Sequence, residues 1–122
     1  MKILVVYDNQ MYREGLKTLI NREADMEVVG EAEDGEKAVA LASELQLDVI
    51  LMDVKMPVMD GVEATRRILS IKPDMKIVGI SVHSDGFRTS MMQAGAKAFI
   101  MKGDDFKELT GAIRRVSGSE NS

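Results

Sequence analysis

The chain has 122 residues, a length typical of one domain, and its 45% hydrophobic and 30% charged residues predict a globular protein. A net charge of −4 provides no overall attraction for nucleic acid or an anionic membrane. The absence of cysteine excludes disulfides and thiolate metal sites, and a single histidine excludes a multi-histidine site. No apolar run approaches the ~18 residues of a membrane span, so we expect a cytoplasmic location and no membrane partner.

Five short apolar runs alternate with five helical patterns along the chain. The runs begin near residues 3, 28, 49, 77 and 98, and most are apolar on both faces, as in parallel strands covered by helices on both sides. The clearest helical stripe consists of Phe106, Leu109, Ile113 and Val116. The pattern predicts an α/β fold with a doubly wound, five-stranded parallel sheet. It fills one domain over residues 1–117, and residues 118–122 are interpreted as a polar C-terminal tail or the start of a linker.

Polar residues follow four of the predicted strands. Asp8, Asp53, Ser81 and Lys102 each stand at or just after the end of an apolar run. Because ligands of open parallel sheets bind outside the carboxyl ends of the strands, these side chains are expected to meet at one edge. A helix cap, a turn or a solvated position explains any one of the four, but it does not readily explain all four together.

Two carboxylates, a hydroxyl and an ammonium suit phosphoryl transfer. One or two carboxylates hold Mg²⁺, which keeps several of its waters. The metal and the ammonium would neutralise a phosphoryl group during transfer. A carboxylate can itself be the nucleophile, giving an aspartyl phosphate. Asp53 is the best candidate nucleophile because the central strand would direct it into the middle of the site.

Several sequence strings resemble the receiver domain of two-component response regulators. They are ILVVYD at 3–8, VILMDVKMPVMDG at 49–61, Ser81, and AGAKAFIMK at 94–102. The resemblance covers residues 1 to about 117. The string VVGEA at 28–32 resembles the NarL/FixJ-like subfamily, whose members carry a LuxR-type helix-turn-helix output domain. The resemblance implies a flavodoxin-like sheet of strand order 2-1-3-4-5.

The resemblance also assigns roles around a magnesium ion. Asp53 matches the phosphoacceptor, and Asp8 matches the acid that binds Mg²⁺ directly. The backbone carbonyl of Lys55 would be the third protein ligand. Lys102 would pair with the phosphoryl group, and the phosphoryl donor would be a phosphohistidine on a sensor histidine kinase.

Two further matches imply a switch. Ser81 would move towards a phosphoryl oxygen, and Phe99 would fill the space that Ser81 leaves. The surface formed by helix 4, strand 5 and helix 5 would change, and the chain would act as a signalling switch rather than an enzyme. A homodimer through that surface, or through helices 1 and 5, is a further expectation. Contact with DNA would belong to an output domain that lies outside these residues.

The chain departs from the family pattern at Tyr7, where an acid usually holds the metal through water. Loss of such an outer carboxylate typically costs about 10–100-fold in metal affinity. We therefore expect weak Mg²⁺ binding and slow phosphorylation. Val82, Lys55 and His83 line the predicted route of the attacking water, and this set predicts slow dephosphorylation.

Two alternative functions are weighed against the phosphorylated switch. The first is a degenerate receiver that acts as a phosphorylation-independent interaction module, an alternative favoured by Tyr7 alone. The second is an enzyme or cofactor protein on the same fold. It lacks the residues it would need, because no glycine-rich phosphate loop follows strand 1. The chain would act either alone through protein contacts or as the receiver of a longer regulator.

Overall fold

The computed structural model describes residues 1–81, 86–101, 103 and 105–118. Strands and helices alternate along these residues, and the predicted strand starts lie within one residue of the observed ones. The elements are β1 Lys2–Val6, α1 Gln10–Asn21, β2 Glu27–Ala32, α2 Gly35–Glu44, β3 Val49–Asp53, α3 Gly61–Ile71, β4 Lys76–Ser81, α4 Phe87–Ala94, β5 Ala98–Met101 and α5 Phe106–Ser117. Residues 119–122 of the predicted tail lie outside the described residues.

The five strands form one parallel sheet of order β2-β1-β3-β4-β5, which confirms the predicted doubly wound fold. The middle strand is β3, where Leu51 pairs with Val5 on one side and Val78 on the other. All five residues of β3 are buried. From β1 the chain passes first to β2 on one side, and it then crosses back to β3 on the other side of β1. The crevice at this switch point, between the carboxyl ends of β1 and β3, is the expected ligand position.

Successive residues of the central strands point into two separate cores. Leu4 and Ile50 pack with α2, α3 and α4 on one face of the sheet. Ile3 and Leu51 pack with α1 and α5 on the other face. This period-2 alternation between two apolar layers explains why the strand sequences are apolar throughout.

Side-chain caps fix where four of the helices begin. Asp34, Asp60 and Asp105 each accept a hydrogen bond from the backbone N–H three residues later, as does Asn9 at the start of α1. Gly86, the residue before α4, provides no side-chain cap. Three of these caps therefore hold the loops that surround the carboxyl ends of β1, β3 and β5.

An ion-pair cluster joins α5 to the loop between α1 and β2, at the opposite edge of the sheet from the switch point. Arg114 donates to both carboxylate oxygens of Asp25 at 2.9 Å and to Glu23 at 2.8 Å. The N-terminal ammonium of Met1 donates to the Asp25 carbonyl at 2.6 Å. Arg114 and Asp25 are 89 residues apart in the sequence. The cluster thus fixes α5 to the loop before β2 and, through Asp25, to the N-terminus.

Arg114→Gln is expected to lower the free energy of unfolding by about 1 kcal/mol at pH 7 and low salt, because the ion pairs are only partly shielded from water. Urea denaturation followed by circular dichroism measures this change. Arg115→Gln is the matched control, since Arg115 is exposed and makes no ion pair within the described part of α5 and its surroundings. Equal losses in the two variants would show that the cluster contributes nothing.

The longest helices, α1 and α5, have 12 residues each. No helix among the described residues is long and apolar enough to cross a membrane.

Candidate functional site

Two aspartates meet at the switch point of the sheet. Asp53 is the last residue of β3 and is only 5% exposed. Asp8 lies just beyond the end of β1, at the surface. The Asp8 carboxylate is close enough to Asp53 for its negative charge to act on the ionisation of the buried carboxyl. The structure therefore brings together the predicted nucleophile and the predicted metal ligand.

The pKa of Asp53 is raised to about 7, first by burial and then by the negative charge of Asp8. Two ionised carboxylates in contact repel each other unless a cation lies between them. Among the described residues, no third histidine, cysteine, aspartate or glutamate joins them. A pair of carboxylates fits Mg²⁺, which takes one or two of them and keeps several waters.

The loop after Asp53 carries the third predicted ligand, Lys55, whose side chain is exposed. Two glycines allow this loop to lie close to its neighbours. A Cβ on Gly61 would lie 2.1 Å from the Asp53 carbonyl oxygen, and a Cβ on Gly35 would lie 2.4 Å from the Met59 carbonyl oxygen. The N–H of each glycine instead donates to this loop, Gly61 to Val54 at 2.7 Å and Gly35 to Met59 at 3.0 Å. Both ends of the loop are therefore fixed by contacts that only glycine permits.

Val58 stands at the tip of this loop in a strained backbone conformation. Its φ is 68°, and the N–H of Met59 donates to the Pro57 carbonyl at 2.7 Å, closing a three-residue γ-turn. A positive φ is a rare conformation for a β-branched residue. The side chain is 75% exposed, so little packing offsets the strain.

Val58→Gly is expected to raise the free energy of unfolding by about 1 kcal/mol. Relief of the strain contributes about 1–3 kcal/mol, and the extra freedom of glycine in the unfolded chain costs about 0.5–1 kcal/mol. Urea denaturation checks the difference. Val58→Ala is the control, because alanine keeps the unfavourable φ and should gain less. A loss of stability in Val58→Gly would contradict the strain.

Tyr7 lies beside the two aspartates, where the family pattern has an acid. It is 5% exposed, and its ring packs against Tyr12 of α1 with the centroids 4.4 Å apart. Burial, followed by the charge of Asp53, raises the pKa of the Tyr7 hydroxyl above its usual range. The residue is therefore neutral at physiological pH and supplies no charge to a metal. The sequence predicted the missing acid but not the aromatic pair.

Ser81 and Phe99 lie on the same face of the sheet, in adjacent strands. Ser81 ends β4 and is 2% exposed. Phe99 of β5 is 4% exposed and stands opposite Gly79 in the β4–β5 register, two residues before Ser81. The guanidinium carbon of Arg88, in α4, lies 5.1 Å from the centre of the Phe99 ring. This cation–π contact covers the ring and was not predicted from the sequence.

The structure thus places Asp8, Asp53 and Tyr7 together, with Ser81 at the end of the neighbouring strand. The predictions for Lys102, Val82 and His83 fall on residues outside those that the structure describes. Arg13 was not among the predicted site residues, but it is 7% exposed and donates to the Tyr7 carbonyl oxygen at 2.6 Å. Arg13 lies on the same face of α1 as the buried Leu16 and Ile20, and this helical spacing could have predicted its burial.

A model of the response regulator receiver domain matches residues 3–114. The response regulator GacA of Pseudomonas aeruginosa is 44% identical over 117 residues, which is 95% of this chain and 55% of that protein. The chain spans about half the length of the curated relatives it matches.

Solved structures agree with this match. The LuxR-family two-component response regulator of Aurantimonas sp. SI85-9A1 superposes with a TM-score of 0.92 at 32% identity, covering 98% of this chain and 86% of that one. The receiver domain of the sensor histidine kinase PA1611 from Pseudomonas aeruginosa PAO1 superposes with a TM-score of 0.87 at 29% identity, over 96% of this chain and 97% of that one. That structure has a magnesium ion coordinated in its active-site cleft. The chain therefore belongs to the response regulator receiver domain family, in its NarL/FixJ-like branch.

Proposed function

We propose that the chain is a phosphorylation-controlled switch in which Asp53 accepts a phosphoryl group from a phosphohistidine of a sensor histidine kinase. The observation that carries the proposal is the pair of aspartates at the switch point. Asp53 is buried at the end of the central strand, and the negative charge of the nearby Asp8 acts on its carboxyl. A buried carboxylate with its pKa raised to about 7 beside a second carboxylate suits a nucleophile that works with a metal ion.

The transfer would exchange one bond to phosphorus for another. An ionised oxygen of Asp53 attacks the phosphorus atom, the P–N bond to the kinase imidazole breaks, and the imidazole keeps the electron pair. Magnesium held by Asp8, Asp53 and the Lys55 carbonyl would offset the charge of the phosphoryl oxygens. Lys102 would pair with the phosphoryl group after transfer.

The phosphoryl group would bias the switch through Ser81 and Phe99. The hydroxyl of Ser81 would bond a phosphoryl oxygen, and Phe99 would move into the space that Ser81 leaves. The surface of α4, β5 and α5 would then change and control an output. Because the matched relative DegU is a transcriptional regulatory protein about twice as long as this chain, we propose that the output is a DNA-binding domain that regulates transcription. We also propose a cytoplasmic location and, with a second copy, a dimer through α4-β5-α5 or α1-α5.

A second candidate function is an interaction module that works without phosphorylation. The neutral, buried Tyr7 in place of a metal-site acid is the observation that favours it. The contact between Asp8 and Asp53 favours the phosphorylated switch instead, because a module with no metal has no use for two adjoining carboxylates.

Intact-protein mass spectrometry after incubation with Mg²⁺ and acetyl phosphate tests the proposal. One added phosphoryl group on the wild-type chain, absent from Asp53→Asn, is the expected result. If neither acetyl phosphate nor a phosphorylated kinase modifies the wild-type chain, while Tyr7→Asp is modified, the interaction module becomes the better description.

A further inference from the structure

Arg13 is a buried cation beside the metal site that the proposed function does not use. It lies in the first turn of α1 and is 7% exposed. Its Nη1 donates to the Tyr7 carbonyl oxygen at 2.6 Å, and its Nε donates to Glu31 Oε1 at 2.7 Å. A buried guanidinium requires partners of this kind, because an unpaired charge in the interior is costly.

The ion pair with Glu31 keeps this cation in place. Glu31 lies in β2 opposite Val5 of β1, and Lys17 of α1 also donates to it. Hydrogen bonds from Lys17 and then from Arg13 hold the pKa of Glu31 below its usual range. Glu31 is therefore ionised at physiological pH. The guanidinium of Arg13 is anchored between β2 and the end of β1.

The contact with Tyr7 reaches the site through a single peptide group. The carbonyl of Tyr7 and the N–H of Asp8 belong to the same planar unit. Its oxygen accepts from Arg13, and Asp8, whose N–H it contains, carries the carboxylate that lies next to Asp53. A cation on the oxygen polarises the peptide and strengthens its N–H as a donor. The guanidinium thus holds and polarises the peptide unit that carries the predicted metal ligand.

We propose that Arg13 is a positioning residue of the phosphorylation site. Its guanidinium orients and polarises the Tyr7–Asp8 peptide, and this peptide holds the Asp8 side chain where it serves the magnesium ion beside Asp53. The inference rests on the proposed function for the role of the magnesium ion. This positioning role differs from a purely structural one, in which Arg13 would only fasten α1 to β2.

The test compares Arg13→Gln and Arg13→Lys with the wild-type chain by two measurements. Calorimetric titration with Mg²⁺ is expected to show about tenfold weaker binding for Arg13→Gln, with Arg13→Lys between it and the wild type. In metal-free protein, the ¹H–¹⁵N signal of Asp8 is expected to move upfield in the same order, because its amide loses polarisation. If Arg13→Gln does not fold, Arg13→Lys alone carries the comparison.

Arg114→Gln is the matched control, since it removes an arginine from an ion-pair cluster at the opposite edge of the sheet. It should change neither the Mg²⁺ affinity nor the Asp8 signal. If the Arg13 variants also leave both unchanged and lose only stability, Arg13 is structural and the inference fails. If the wild-type chain binds no Mg²⁺, the proposed function fails separately, and the Asp8 signal still decides whether Arg13 polarises the peptide.

Discussion

Asp53→Asn is expected to raise the free energy of unfolding by about 2–4 kcal/mol at pH 8 without metal. The carboxyl of Asp53 is held in a buried site beside Asp8, and its pKa rises from 3.8 to about 7 on folding. Each unit of such a shift corresponds to about 1.4 kcal/mol between the two protonation states. Asparagine cannot ionise, so the variant avoids the cost of a buried charge next to a second carboxylate.

The stability gained by Asp53→Asn is expected to increase with pH. Well below pH 3.8 the carboxyl is protonated in both the folded and the unfolded chain, and its ionisation costs the folded state nothing. Between pH 4 and pH 7 the unfolded chain loses this proton while the folded chain keeps it. The folded state then binds more protons, so its stability falls as the pH rises and levels off above pH 7. The gain in Asp53→Asn should therefore be largest at pH 8 and small at pH 4.5.

Urea denaturation in the presence of a chelator, at several pH values, measures this dependence. Asp74→Asn, which changes an exposed aspartate, is the control and should show no such trend. Saturating Mg²⁺ should restore stability to the wild-type chain only, because it favours the ionised pair. A gain that is the same at pH 4.5 and pH 8 would contradict the buried charge as its cause.

Tyr7→Asp is expected to tighten Mg²⁺ binding by about 10–100-fold, the effect that an outer carboxylate typically has on a metal site. Tyr7 lies beside Asp8 and Asp53 but is neutral at physiological pH. An aspartate there would add a negative charge next to the cation. The same change removes the ring contact with Tyr12 at 4.4 Å, so it should also lower the stability of the metal-free chain.

Calorimetric titration with Mg²⁺ separates these two effects, since it reports affinity directly on the folded protein. Tyr7→Phe keeps the ring and removes only the hydroxyl, so its affinity should stay close to that of the wild type. If the wild-type chain binds Mg²⁺ with the same affinity as Tyr7→Asp, the tyrosine does not weaken the site.

The sequence was sufficient to predict most of the fold. Parallel strands covered on both faces are apolar throughout, and polar residues separate them from the helices that follow, as Asp34, Asp60 and Asp105 do where they cap α2, α3 and α5. Asp8 and Asp53 could be predicted as a pair because both end strands whose carboxyl ends share an edge. These features follow from periodicity and position along the chain.

Other parts of the site depend on contacts that the sequence does not encode locally. Arg13 was missed because its partners, Tyr7 and Glu31, come from two different strands. The strain at Val58 was missed because valine rarely adopts a positive φ, so nothing in its sequence position indicates one. The Arg88 contact with Phe99 depends on how α4 packs on β5.

The central claim is that Asp53 is the phosphoacceptor, and locating the phosphoryl group tests it most directly. Borohydride converts an aspartyl phosphate to homoserine, so peptide mass mapping of the chain treated with acetyl phosphate and Mg²⁺ identifies the modified residue. We expect homoserine at position 53 and an unmodified aspartate at every other aspartate position. A phosphorylated chain that carries the modification at Asp8 or elsewhere, with Asp53 intact, would contradict it.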